Sequence, residues 1–169
     1  MIIETSIALL ALLVVVFTII YCRDKVSKEK SKISIKESLE LAQLPIITLY
    51  EGNNKLNFLL DSGSSHSHIC KNIVDKLSGN KHSTDYNFVT ASGESSNSEI
   101  IKCTLRYKKE FFMVDLFVNE GLIDAFKSVK KECGVQLHGI LGTDFLKDHK
   151  YILDFAELVA YHKWKILLI

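Results

Sequence analysis

From Leu44 onward, apolar and polar positions alternate in short runs that read as strands. "LPIITLY" (Leu44 to Tyr50) and "KLNFLLD" (Lys55 to Asp61) are β-rich and separated by "EGNN", a polar Gly/Asn connection of hairpin length. A hairpin therefore delivers Asp61 at its end. "KNIVDKLSG" (Lys71 to Gly79) sets Ile73, Val74 and Leu77 at helical spacing before a Gly stop, which predicts a short helix. Three more runs, Asp85 to Ala91, Ser98 to Tyr107 and Phe111 to Val118, read as strands, with the polar turn "ASGESSNS" (Ala91 to Ser98) between the first two. "HGILGTDFLKDHKYILDF" (His138 to Phe155) holds an apolar strand, a Gly and a Thr/Asp pair suited to capping a helix over Phe145 to His149. With "LVAYHKWKILLI" (Leu158 to Ile169) it supplies two further strands. The expected class is mainly β, with one or two short helices.

The N-terminal pattern is of another kind. "TSIALLALLVVVFTIIYC" (Thr5 to Cys22) is uncharged over about 18 residues, enough for a helix to cross roughly 30 Å of hydrocarbon. It predicts a single transmembrane helix. Bulky Ile19, Ile20 and Tyr21 at its end, and the lack of a basic residue before it, argue against a cleaved signal peptide. Basic residues follow in "RDKVSKEKSK" (Arg23 to Lys32), so the positive-inside rule sets this flank and the rest of the chain on the cytoplasmic face. An uncleaved signal anchor with an exported domain is the alternative. The expected organisation is an anchor over 1–22, a basic juxtamembrane linker over 23–43 and a folded domain over 44–169, with foldable sequence from about Ile33.

Composition adds bounds. The chain has 169 residues, 47% of them apolar and 24% charged, which suits one core. A net charge of +1, with basic and acidic residues interleaved outside the juxtamembrane flank, excludes an electrostatic case for nucleic acid. The four cysteines, Cys22, Cys70, Cys103 and Cys133, form no C-x-x-C pair and read as reduced, mostly buried thiols.

Asp61 is the chemical question. An Asp at the end of an apolar run is costly to bury unless its charge is shared, hydrogen-bonded or used. "FLLDSGSSHSHI" (Phe58 to Ile69) resembles the catalytic loop of aspartic proteases, in which apolar residues lead into Asp-Thr/Ser-Gly and then small polar residues. "HGILGTDFL" resembles their second signature, two apolar residues and a Gly before a short helix. One Asp-Ser-Gly in a domain of this size matches the retropepsin-like branch, whose members each supply half an active site.

The resemblance implies a closed retropepsin-like β-barrel, an acid-protease half fold, acting as a homodimeric aspartic endopeptidase on peptide or protein substrates. It implies Asp61 as the catalytic residue, paired with its copy on a second chain so that one proton is shared. Ser62, Gly63 and Ser64 would support the loop, Gly63 by letting two backbones approach without a Cβ. Ile140, Leu141 and Gly142 would pack beneath it. Ala91, Ser92, Gly93 and Glu94 would form a flap over the substrate, and the terminal "KWKILLI" would help to pair the subunits. No metal or cofactor is implied. The chain departs from the pattern at His66 and His68, where relatives carry small, acidic, amide or apolar residues, and at Thr143, where the retroviral form has Arg.

Competing readings are weaker. Asp144, after Gly142 and Thr143, fits a helix cap or structural contact better than a second catalytic Asp. His66 and His68 lack a third ligand at metal-site spacing, and "GSSHSH" lacks the G-x-S-x-G elbow of a serine hydrolase. Asp115 is expected on the solvent face of its strand, and Trp164 in packing or a membrane-proximal contact. The functional alternative is a catalytically inactive retropepsin-like module for dimerisation or peptide binding at the membrane.

Overall fold

The computed structural model describes residues 10–22, 32–89 and 95–162. Helix α1, residues 10–22, carries exposed apolar side chains along its length. It covers part of the expected span, and 5–9 lie outside the described residues. Among the described residues no helix is long and apolar enough to cross a membrane.

The domain then runs through β1 (Ile33–Ser34), α2 (Lys36–Ala42), β2 (Ile46–Glu51), β3 (Asn54–Leu60) and β4 (His68–Cys70), followed by a 3-10 helix (Lys71–Lys76). β5 (Asn80–Val89), β6 (Ser95–Tyr107), β7 (Glu110–Asn119) and α3 (Leu122–Cys133) come next. β8 (Gly139–Leu141), α4 (Thr143–Asp148), β9 (Tyr151–Asp154) and β10 (Val159–His162) complete it.

Six strands close on themselves in the order β2-β3-β8-β4-β7-β6, with Tyr50 of β2 paired to Arg106 of β6. This is the expected mainly β, closed barrel. Period-two alternation turns Leu56, Phe58 and Leu60 of β3 inward to meet Ile47, Leu49, Leu105, Leu116 and Leu141. Phe58 is fully buried, a burial that contributes about 3 kcal/mol. The barrel interior therefore ends at Leu60, and Asp61 follows at its rim.

Several elements differ from the expectation. Within the domain a strand and a helix precede Leu44, in line with foldable sequence from about Ile33, because β1 pairs with β10 and buries Ile33 and Ile35 in the main core. The strand pattern assigns nothing between Asn119 and Leu137, where α3 lies. Leu122, Ile123, Phe126 and Val129 form its apolar stripe, and Gly134, at φ 73°, stops it in the left-handed conformation. α3 covers the outer face of the barrel beside Ile46, Leu59 and Ile140. The helix expected over Lys71 to Gly79 is the shorter 3-10 turn, and the one expected at Phe145 begins at Thr143. Glu51, expected in a polar connection, ends β2 buried, with its carboxylate accepting from Asn54 Nδ2 and from the Ser78 amide and hydroxyl.

Candidate active site

Three short strands place Asp61. β3 and β8 run parallel, pairing Phe58, Leu59 and Leu60 with Gly139, Ile140 and Leu141. β4 returns antiparallel on the other side of β8, with His68 opposite Ile140. The loop from Asp61 to Ser67 thus leaves one neighbour of β8, crosses its C-terminal end and rejoins as the other neighbour. The Asp61 amide donates to the Leu141 carbonyl at 3.0 Å, continuing the β3–β8 ladder one residue into the loop.

The turn is tied down from within. Gly63 N–H donates to Asp61 Oδ1 at 2.8 Å, and Ser64 N–H to the Asp61 carbonyl at 3.2 Å. A Cβ on Gly63 would stand 3.1 Å from Asp61 Oδ1, so glycine keeps that carboxylate open. Ser64 Oγ donates to the His66 carbonyl at 2.7 Å. Ser62 stands exposed at the tip.

The second signature straps the loop from below. Leu141 is fully buried in the main core, and half-buried Ile140 faces α3. Gly142 has no room for a side chain, since a Cβ would lie 2.6 Å from the His66 carbonyl oxygen and 2.7 Å from that of Ser64. The Thr143 amide donates to the Ser64 carbonyl at 2.8 Å, and its hydroxyl to the same oxygen at 3.2 Å.

Asp144 belongs to this support. Its Oδ2 accepts from the Ser67 amide at 2.7 Å, and its Oδ1 accepts from the Ser67 hydroxyl and the Phe145 amide, both at 2.7 Å. Ser67 Oγ also accepts from the Gly142 amide at 3.1 Å. Both oxygens of Asp144 are thereby engaged in holding the two signatures together, whereas Asp61 is half-exposed at the rim. Sequence reasoning placed Asp144 in a cap or contact but did not find Ser67, its buried partner.

Loss of this clamp has a calculable effect. Asp144→Ala should lower stability by about 3 kcal/mol, because the buried Ser67 amide and hydroxyl would lose a charged acceptor. Asp144→Asn should cost less, since one oxygen is retained. Urea denaturation checks the first statement. An Asp144→Ala chain as stable as the parent would remove the clamp from the account.

Two histidines pack beside the same strands, each with its pKa lowered first by burial. His138 accepts the Asn57 amide on Nδ1 at 2.9 Å, and burial holds its pKa below the usual value. His68, at the start of β4, is lowered by burial first and by neighbouring His66 second, against an opposing pull from Asp144. With native pKa values below the unfolded value of about 6.5, both rings bind protons more readily in the unfolded chain. Their contribution to stability is full above that pH and is lost as pH falls toward the depressed native values. Urea midpoints should therefore drop as pH falls below about 6.5, and His138→Gln should flatten that drop. A slope unchanged in the variant would remove His138 from the account.

The remaining expected residues are distributed as follows. Ala91, Ser92, Gly93 and Glu94 lie outside the described residues, flanked by β5 and β6. Asp115 points to solvent and pairs with Lys102 at 3.4 Å. Trp164 lies outside the described residues with the rest of 163–169. Cys70 and Cys103 are buried thiols, and burial pushes the latter up to about 12. Among the described residues no group of three metal-ligating side chains is assembled. A cleft of about 960 Å³ lies beyond the loop, between His66, Asp144 and the outer face of β6 and β7, and Asp61 is not on its wall.

A family model described as aspartyl protease matches residues 47–145, which include both signatures. Among solved structures the chain is similar to an EIAV protease complexed with the inhibitor HBY-793, at 20% identity over 62% of this chain and 86% of that one, TM-score 0.47. It is also similar to a retropepsin-like aspartic protease from Rickettsia conorii, at 23% identity over 69% and 80%, TM-score 0.48. A third is the retroviral protease-like domain of Ddi1 from Leishmania major, at 12% identity over 73% and 96%, TM-score 0.44. No curated protein matches the chain.

Proposed function

The chain belongs to the aspartyl protease family, and from that premise we propose that it is a membrane-anchored aspartic endopeptidase whose active site is completed by a second copy of itself. The carrying observation is the difference between two carboxylates: Asp144 has both oxygens engaged by Ser67 and Phe145, while Asp61 stands at the barrel rim with one oxygen held by Gly63. Aspartic proteolysis needs two carboxylates in one site, sharing a proton. The chain carries a single Asp-Ser-Gly, at Asp61, so the partner in this reading is a second Asp61 across a twofold axis.

Each residue then has a task. The ionised Asp61 takes a proton from a water as that water attacks the scissile carbonyl, and the protonated Asp61 of the other chain donates to the carbonyl oxygen. The Gly63 amide fixes one carboxylate oxygen, and Leu141 fixes the backbone before it. Ala91 to Glu94, between β5 and β6, close over the peptide and exclude water. The test is direct: full-length chain, incubated at acidic pH with a proteome-derived peptide library, should generate new termini that Asp61→Asn does not. A folded dimer that cleaves nothing would favour the silent binding module.

The apolar run from Thr5 to Cys22 anchors this enzyme, with the basic flank and the domain on the cytoplasmic face. Supporting this reading is the helical conformation of residues 10–22, whose apolar side chains are exposed. External protease added to intact cells or spheroplasts should leave the domain whole. Its removal under those conditions would set it on the other side.

A further inference from the structure

The hairpin of β6 and β7 presents an outer face that the proteolytic reading does not use. Cross-strand register puts Arg106 opposite Phe111 and Thr104 opposite Met113. Phe111 is 67% exposed and Met113 82%, on a strand whose other side buries Phe112 and Val114. The turn at the tip is Lys108-Lys109, both exposed. Lys108 sits at φ 54°, in the left-handed region that a tight turn uses.

Charge at this tip is one-sided. Arg106 lies over the Tyr50 ring at 5.3 Å, and none of the described ion pairs involves Arg106, Lys108 or Lys109. Glu110 is turned to the opposite face, where it accepts from the Tyr151 hydroxyl at 2.9 Å. Away from the tip the same face passes into the cleft described above, whose acids include Asp115, Asp144 and Asp148, with Asp115 paired to Lys102. Cations over exposed aromatic and thioether side chains match an interface of anionic headgroups above acyl chains.

The tip also lies where the chain enters the domain. Tyr107 Oη donates to the Lys32 carbonyl at 3.5 Å, and β1 starts at the next residue. Lys32 closes the basic segment that follows the apolar run, and residues 23–31 can reach at most roughly 30 Å when extended. The hairpin tip is thus within reach of the bilayer that holds the run.

We infer that the β6–β7 tip, through Lys108, Lys109 and Arg106 with Phe111 and Met113, seats on the anionic leaflet of the membrane that anchors the chain. The contact fixes the orientation of the domain, and it rests on the anchor proposed above. For the test, Met113→Trp is made in a Trp164→Phe background, and the full chain is placed in nanodiscs of phosphatidylcholine alone or mixed with phosphatidylserine. Brominated lipids should quench the introduced indole in the anionic discs, and Lys108→Glu with Lys109→Glu should cut that quenching by about half or more. An indole left unquenched in anionic discs that hold the chain overturns the inference and leaves the anchor standing. A shielded but unquenched indole does the same, by showing that protein covers the face. Failure of the chain to enter the discs overturns both readings. Phe111→Trp gives the same readout from the neighbouring exposed position.

Discussion

Gly139→Ala will destabilise the domain by about 3 kcal/mol or more, although it adds a single methyl group. Gly139 sits on the central strand β8, between β3 and β4, and a Cβ there would come 2.4 Å from the His68 carbonyl oxygen and 2.6 Å from Phe58 Cε1. Neither neighbour can give way locally. The carbonyl is backbone, and Phe58 is fully buried with the core around it. The strands must separate, and β3–β8 is the pairing that holds Asp61 in place. Gly52→Ala is the matched control. Its φ of 54° strains any side chain, but nothing lies within 4 Å, so the cost should be about 1 kcal/mol. Thermal unfolding should show Gly139→Ala melting about 10 °C below the parent, with Gly52→Ala only a few degrees lower. Equal shifts for the two variants would mean that backbone preference, not close packing at β8, governs this part of the fold.

Much of the site can be read from the sequence because it is local. The hairpin, its Asp-Ser-Gly end and the apolar-apolar-Gly run each span a few neighbouring residues, and period-two alternation in Leu56, Phe58 and Leu60 marks the buried face directly. What joins them is not local. Ser67 and Asp144 are 77 residues apart, and no single-sequence pattern marks a serine as the partner of a given carboxylate. The parallel pairing of β3 with β8 is likewise a long-range choice, fixed when Gly139 admits Phe58. α3 is a different case, because its spacing of Leu122, Ile123, Phe126 and Val129 is plainly helical, but the lysines that follow dilute the stripe. Glu51 was unreadable in principle: a carboxylate beside Gly and Asn is normally solvated, and only Ser78 and Asn54 arriving from elsewhere make its burial tolerable. The early start of the fold at Ile33 depends in the same way on β10, which supplies the strand that β1 needs.

Asp61→Asn will leave the domain folded and reduce peptide cleavage by roughly 10³-fold or more. The side chain is half-exposed, and an amide oxygen can still accept the Gly63 N–H, so the loop loses no donor or acceptor that it needs. What disappears is the carboxylate, which an amide cannot replace in proton transfer. In the proposed dimer two carboxylates would face each other and share one proton, so activity should be highest on the acidic side and fall as the second proton leaves. The consequence for mixed populations is quantitative. If the site is built from one Asp61 of each chain, a dimer with a single Asn has no competent pair, and activity follows the square of the wild-type fraction. Equal co-expression should then leave about one quarter of full activity rather than one half, if chains pair at random. Asp144→Asn chains, mixed in the same way, should show no such quadratic loss, because that carboxylate acts within its own subunit through Ser67. A linear fall with Asp61→Asn would mean that each chain carries a complete site, and the shared-carboxylate mechanism would have to be abandoned.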